Sequence, residues 1–195
     1  MPEKTFDGGL LPAGPVAIGI DQSLTGFAVT VLNVERPECY ETWVYKSPYS
    51  GIKRLADIRR WFNGKLMWLA LEGHSFHDVA MEAAILASPS SLPLGELAGM
   101  VKMALWDMFE DTQNELCRTP LKVPPTTLKK YAAGKGNAKK QEMLMQIYKR
   151  WGIEFNDDNA ADSYALARLA SGAVQGEVEK AVVEQVKDPK FRDSL

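Results

Sequence analysis

Residues 16–34 read VAIGIDQSLTGFAVTVLNV. Two apolar runs, Ala17–Ile20 and Phe27–Val34, are parted by turn-forming residues at 22–26, the pattern of a hairpin of buried strands. The first run ends in an acid, Asp21. A sheet would fix its backbone there and leave the carboxylate at the open end of the strand. Working outward, Cys39–Lys46 is rich in Tyr, Thr, Trp and Val and predicts a third strand. Then the period changes: Ile52, Leu55, Ile58 and Phe62 recur at helical spacing, predicting a helix over Gly51–Asn63. His77–Ala84 reads as a buried strand. A helix entered through Ser90, Ser91 and Pro93 continues to Met108. Leu121–Val123 is a short strand stopped by Pro124 and Pro125. Asn137–Trp151 reads as a helix, and a further one, capped by Asp157 or Asp158, runs to Ala170. A meander followed by alternating units predicts an α/β fold with one mixed sheet of five strands and helices on both faces.

No repeat, low-complexity tract or long linker divides the chain. Residues 1–15, with their Gly and Pro, are expected to be a loose leader, 16–172 a single domain, and 173–195 an exposed charged helix or tail. At 195 residues and 21.6 kDa, 46% hydrophobic and 25% charged, the composition is that of an ordinary globular protein with core enough to need no staple. Two isolated cysteines, Cys39 and Cys117, exclude a disulfide framework and a Cys-rich zinc module. Neither has a histidine nearby in sequence, which argues against a thiol nucleophile. His74 and His77 lack a third and fourth zinc ligand. Met1–Pro15 contains no secretory signal, and the longest apolar stretch, Leu66–Leu71, cannot span a bilayer. The expectation is a soluble intracellular protein with no membrane partner.

Net charge is only −2, which argues against indiscriminate coating of nucleic acid. The average conceals an asymmetry. Between Arg118 and Arg150 stand nine basic residues and one acid, Glu142, so that segment carries +8 while the remaining 162 residues carry −10. A basic field on an acidic body suits a confined polyanion site; a solvated helix face is the plainer alternative.

Three acidic positions invite chemistry. Asp21 ends the first strand, Glu82 lies in the apolar context of a later strand, and a charge in such a run is costly unless a cation or donor compensates it. In NDDNAADSYALA, Asp158, Asn159 and Asp162 share one face of a helix. Read singly, Asp21 could be a turn residue, Glu82 a strand-end acid paired with a lysine, and Asp157 or Asp158 an N-cap. Together, oxygen donors converging from two strands and a helix make a site for hard cations. Magnesium favours a few carboxylates with waters and phosphate, and two such ions can activate water and stabilise the leaving oxygen of a phosphodiester.

The ordered set GIDQSLTGFAV (Gly19–Val29), MEAAI (Met81–Ile85), LGELAG (Leu94–Gly99), LKKYAAGKGNAKKQEM (Leu128–Met143) and DDNAADSYALA (Asp157–Ala167) resembles the RuvC Holliday-junction resolvases of the RNase H-like superfamily. The resemblance runs from about Ala17 to Ala170. It implies an RNase H-like fold and metal-dependent hydrolysis of branched DNA by paired symmetric nicks, leaving a 5′-phosphate and a 3′-hydroxyl. Asp21 then matches the first-strand aspartate, Glu82 the fourth-strand glutamate, and Asp162 the last aspartate of a closing D-x-x-D motif. The first position of that motif is Asn159 here, so Asp158 or Asn159 completes the second metal site.

Two Mg2+ ions per site are implied, with Mn2+ an open substitute. The basic segment would hold DNA through Lys129, Lys130, Lys135, Asn137, Lys139 and Lys140, Lys129 and Lys140 foremost. Ile85 stands where some relatives place an aromatic wedge. Paired nicks imply a homodimer, with the helix over Leu92–Phe109 and its Gly95, Ala98 and Gly99 as the interface. The rivals are an RNase H-like nuclease for flaps or RNA–DNA hybrids and a noncatalytic branched-DNA-binding module. An actin-like kinase fragment would need a second phosphate loop and a longer chain. Localisation by this reading is cytoplasmic or nucleoid-associated, with an organellar or viral origin left open.

Overall fold

The computed structural model describes residues 3–83, 91–112 and 114–194. In chain order the elements are β1 (Glu3–Asp7), β2 (Pro15–Asp21), β3 (Phe27–Asn33), β4 (Tyr40–Tyr45), α1 (Gly51–Leu71), β5 (Ser75–Glu82) and α2 (Ser91–Phe109). They continue with α3 (Glu115–Arg118), β6 (Leu121–Val123), α4 (Pro125–Ala133), α5 (Lys140–Trp151), α6 (Asp158–Ser171), α7 (Glu177–Lys187) and α8 (Pro189–Ser194). The strands form one mixed sheet in the order β1-β4-β3-β2-β5-β6. β1, β4, β3 and β2 pair antiparallel, and β5 and β6 continue parallel to β2. One face packs on α1 and α2 through residues such as Ile18, Ile20 and Met81. The other packs on α4, α5, α6 and α7 through Ala17, Ala28, Ala80 and Val123. Among the described residues no helix is long and apolar enough to cross a membrane.

The sheet has six strands where sequence reading expects five, because part of the expected loose leader is β1. Thr5 and Phe6 register with Trp43 and Thr42, covering the edge that β4 would otherwise present to water. Phe6 meets the Phe155 ring edge-on at 5.7 Å, and Glu3 accepts from the Trp61 indole and pairs with Lys65. These partners lie far along the chain, so no local pattern announces them. Likewise α1 runs on to Leu71, since Leu66 and Leu69 extend its buried stripe. The C-terminal segment is not merely an exposed helix: Val182 and Val186 of α7 are fully buried, and Glu179 is buried against Arg150.

The seat of α6 is fixed by a row of small or hydroxylated residues crossing three strands. Gly19 registers with Thr30, and Thr30 with Thr42. A Cβ at Gly19 would stand 2.0 Å from the Ser163 carbonyl oxygen and 2.2 Å from the Ala167 nitrogen, so only glycine lets the helix lie directly on β2. Ser163 Oγ donates to the Ala160 carbonyl at 3.0 Å and lies 2.8 Å from the Thr30 hydroxyl, itself 2.7 Å from that of Thr42. With the Ser163 proton committed, Thr30 donates to Ser163 and Thr42 to Thr30. This fully buried chain leaves no hydroxyl unpaired and pins α6 in both height and register.

Candidate active site

β2 and β5 are parallel neighbours with Ile20 in register with Met81. Asp21 and Glu82 therefore leave adjacent strands at the same carboxyl end, about 5 Å apart in the pairing direction. Open α/β sheets bind ligands at such ends. The seat of α6 brings its first turns over the same end. Asp157 is the cap: its carboxylate accepts from the Asn159 and Ala160 amides at 3.1 and 3.4 Å. That settles which of the adjacent aspartates caps, and leaves Asp158 for the cleft. Asp21, Glu82, Asp158, Asn159 and Asp162 line one cavity of about 540 Å³, with Lys129 and Lys140 also lining it.

The cleft is electrostatically loaded. Burial and the charges of Asp162, Glu82 and Asp158 push the Asp21 carboxyl well above its ordinary value. Asp162 is pushed up to about 7, by burial first and then by Glu82 and Asp158, with Lys140 and Lys129 pulling the other way. Burial also raises Glu82, opposed by Lys129 and by a hydrogen bond from Asp21. Asp158 differs. Its bond from the Lys140 ammonium holds it below the usual carboxylate range, and Lys140 is raised by the same contact. Carboxylates, three of them largely buried, are thus crowded in a cleft that two lysines only partly neutralise.

Gln22 follows Asp21 and is almost fully buried. Its Nε2 donates to the Glu82 carbonyl at 2.6 Å, tying the ends of β2 and β5, while its Oε1 is buried with no partner. Sequence reading treats Gln22 as a turn residue, and nothing short of the strand pairing reveals its bridge. An orphaned oxygen among mutually repelling carboxylates is the chemistry of a hard-cation site. The donors fit such an ion in kind. In spacing, no three His, Cys, Asp or Glu side chains among the described residues are grouped closely enough to hold one by themselves.

The other expected residues are distributed as follows. Asn159 lines the cleft, its Nδ2 packed so close to the turn before β3 that a Cβ on Gly26 would come within 2.6 Å. Lys135 lies at the surface and pairs with Glu142 at 2.7 Å. Lys130, Asn137 and Lys139 are exposed and do not line the cavity. Ile85 lies outside the described residues.

No protein-family model and no curated protein matches the sequence. Solved structures do. Thermus thermophilus RuvC aligns at a TM-score of 0.57 and 21% identity, covering 78% of this chain and 90% of that one. The same organism's RuvC in complex with a Holliday junction substrate aligns at 0.59 and 20%, with the same coverage. The fold is RuvC-like. In this RuvC-like frame the acids at the ends of β2 and β5 and the first turns of α6 occupy one cleft, with the basic α4 and α5 beside it.

Proposed function

We propose that the chain is a metal-dependent endonuclease that resolves four-way DNA junctions by paired symmetric nicks. The observation that carries this is the convergence of Asp21, Glu82, Asp158 and Asp162 with Lys129 and Lys140 in one cleft, on a RuvC-like fold. Carboxylates alone would repel a phosphodiester. Lysines alone would bind one without cutting it.

Asp21, Glu82 and Asp162 would hold divalent ions, Mg2+ or Mn2+, with Asp158 or Asn159 completing the second ligand set. Bound there, such ions supply a Lewis acid and an activated water. The chain's own residues prepare that chemistry. Gln22 fixes the separation of the two strand ends, and the Thr42–Thr30–Ser163 chain holds α6 at its height. Lys129 and Lys140 take up phosphate oxygens and offset the charge that grows on phosphorus in the transition state. Lys140 reaches the phosphate by exchanging its contact with Asp158, which frees that carboxylate for a cation.

Two nicks need two sites, hence a homodimer. Gly95 and Gly99 on the outer side of α2 have nothing within 4 Å of an added Cβ, so two such helices can cross closely there. Action on chromosomal branches in recombination and repair would place the protein in the cytoplasm or nucleoid. A noncatalytic junction-binding module is the second reading, favoured by the Lys140–Asp158 pair standing where a cation would. Nicking of a labelled immobile four-way junction in Mg2+, beside linear duplex, a flap and an RNA–DNA hybrid, separates these. Symmetric cuts in the junction alone support the proposal; preferred cutting of the hybrid or flap overturns the substrate class.

A further inference from the structure

The basic segment 118–150 does not form one patch. Lys129 and Lys140 face the acid cleft, whereas Arg150 is spent inside the fold on the carbonyls of Tyr131 and Ala132 and on Glu179. Arg118 and Lys122 go elsewhere. Lys122 registers with Met81, which belongs to the core on the α1 and α2 side, while its neighbours Leu121 and Val123 point to the opposite side. It therefore emerges beside α2, where it, Arg118 and Lys102 line a second cavity of about 410 Å³ together with Met103, Trp106 and Pro120.

Three features of this cavity call for a ligand. No acid lines it, and among the described residues none of its three cations has an ion-pair partner. Burial first, and then the charge of Lys102, hold the Lys122 ammonium below its usual range, a cost that a bound anion would relieve. Trp106 keeps 41% of its surface in water, with the Arg118 guanidinium 3.9 Å from its ring centre and the guanidinium Nε buried without a partner. An exposed indole steadied by arginine, beside two lysines, combines a stacking platform with phosphate-binding charge. An acidic peptide would use the charge and leave the ring idle. A second copy of the chain docked about a two-fold axis through the cavity would bring six cations together.

We propose that this cavity binds a nucleotide of a nucleic-acid strand, with phosphate between Lys102 and Lys122 and the base on the Trp106–Arg118 pair. It is a contact separate from the acid cleft, and it rests on the chain being a nucleic-acid-binding protein. The two sites are near neighbours on the sheet. Lys122 stands one residue before Val123, the register partner of Glu82, so their Cα atoms lie about 6 Å apart on adjacent strands. A strand passing over the β6 edge can serve both. Trp106 lies seven residues past Gly99, roughly 10 Å along α2 and clear of the proposed helix crossing.

The test is fluorescence anisotropy of a labelled fifteen-nucleotide thymidine oligomer in EDTA, across a range of KCl concentrations, with oligomeric state followed by sedimentation. Trp106→Ala is expected to weaken binding roughly 5- to 100-fold, the value of one base–aromatic stack, and Trp106→Phe to restore most of it. Lys102→Ala with Lys122→Ala is expected to flatten the salt dependence by about 0.7 in slope, for the one phosphate of a single strand that the two lysines hold. Unchanged oligomer binding in these variants overturns the proposal, as does equal competition by polyglutamate that fails in the same variants. Loss of dimerisation with no loss of affinity overturns it too. Junction nicking with binding indifferent to all three positions would sink this inference alone. Wild-type binding that responds to them without any nicking would sink the nuclease reading and leave this one standing.

Discussion

Asp162 offers a quantitative check on the crowding of carboxylates. Its carboxyl is raised from 3.8 to about 7, chiefly by burial and then by Glu82 and Asp158. Between those values the folded chain holds a proton that the unfolded chain has released. Stability therefore falls as pH rises from about 4 to 7 and levels off above. At 1.36 kcal/mol per pH unit the full effect is about 4 kcal/mol, of which about 3 kcal/mol falls between pH 5 and 8. Asp162→Asn keeps the shape and removes the charge. Urea unfolding in EDTA at pH 5, 6, 7 and 8 should show the wild type losing about 3 kcal/mol more than the variant over that range. Adding Mg2+ at pH 8 should recover stability in the wild type and recover less in the variant, because a cation that binds the folded site stabilises it by mass action. Parallel pH profiles for the two proteins, within about 0.5 kcal/mol, would refute the crowding described here.

Two further substitutions probe how the fold holds the site. Gly19→Ala places a methyl 2.0 Å from the Ser163 carbonyl oxygen, so α6 must lift by over 1 Å and the 2.8 Å Thr30–Ser163 bond breaks. Overpacking and an unpaired buried hydroxyl together cost about 3–5 kcal/mol, seen as a lower urea midpoint at unchanged m-value; a loss under 1 kcal/mol would contradict this seat for the helix. Gln22→Leu removes both the 2.6 Å strap to the Glu82 carbonyl and the orphaned Oε1. Folding should change little while the Mg2+ concentration for half-maximal nicking rises about 10-fold, as for other groups that orient ligands. An unchanged Mg2+ midpoint would remove Gln22 from the site.

The parts legible in the sequence were those with local causes. The run from Val16 to Val34 declares a hairpin through its apolar blocks and turn residues, and an acid at each of two strand ends follows from pattern alone. The helical spacing of Asp158 and Asp162 puts them on one face whatever the helix packs against. What stayed hidden depends on distant partners. β1 exists because β4 leaves an edge and because Trp61, Lys65 and Phe155 hold Glu3 and Phe6. Gly19 looks like an incidental glycine until Ser163 and Ala167 are seen pressed against it. The basic run from Arg118 to Arg150 is one block in sequence and is dispersed in space to the acid cleft, the second cavity, the fold interior and the open surface, because a strand, β6, and the helices α4 and α5 turn its members to different sides.

The claim at the centre is that Asp21 and its neighbours cut DNA with a bound cation. It is tested most directly by following a labelled immobile four-way junction with wild type and Asp21→Asn, each in Mg2+ and in EDTA, with junction binding measured in parallel. Paired symmetric nicks by the wild type in Mg2+ only, and none by Asp21→Asn while it still binds the junction, are the predicted result. Tight binding by the wild type with no nicks in Mg2+ or Mn2+, or nicks that persist in Asp21→Asn, would contradict it.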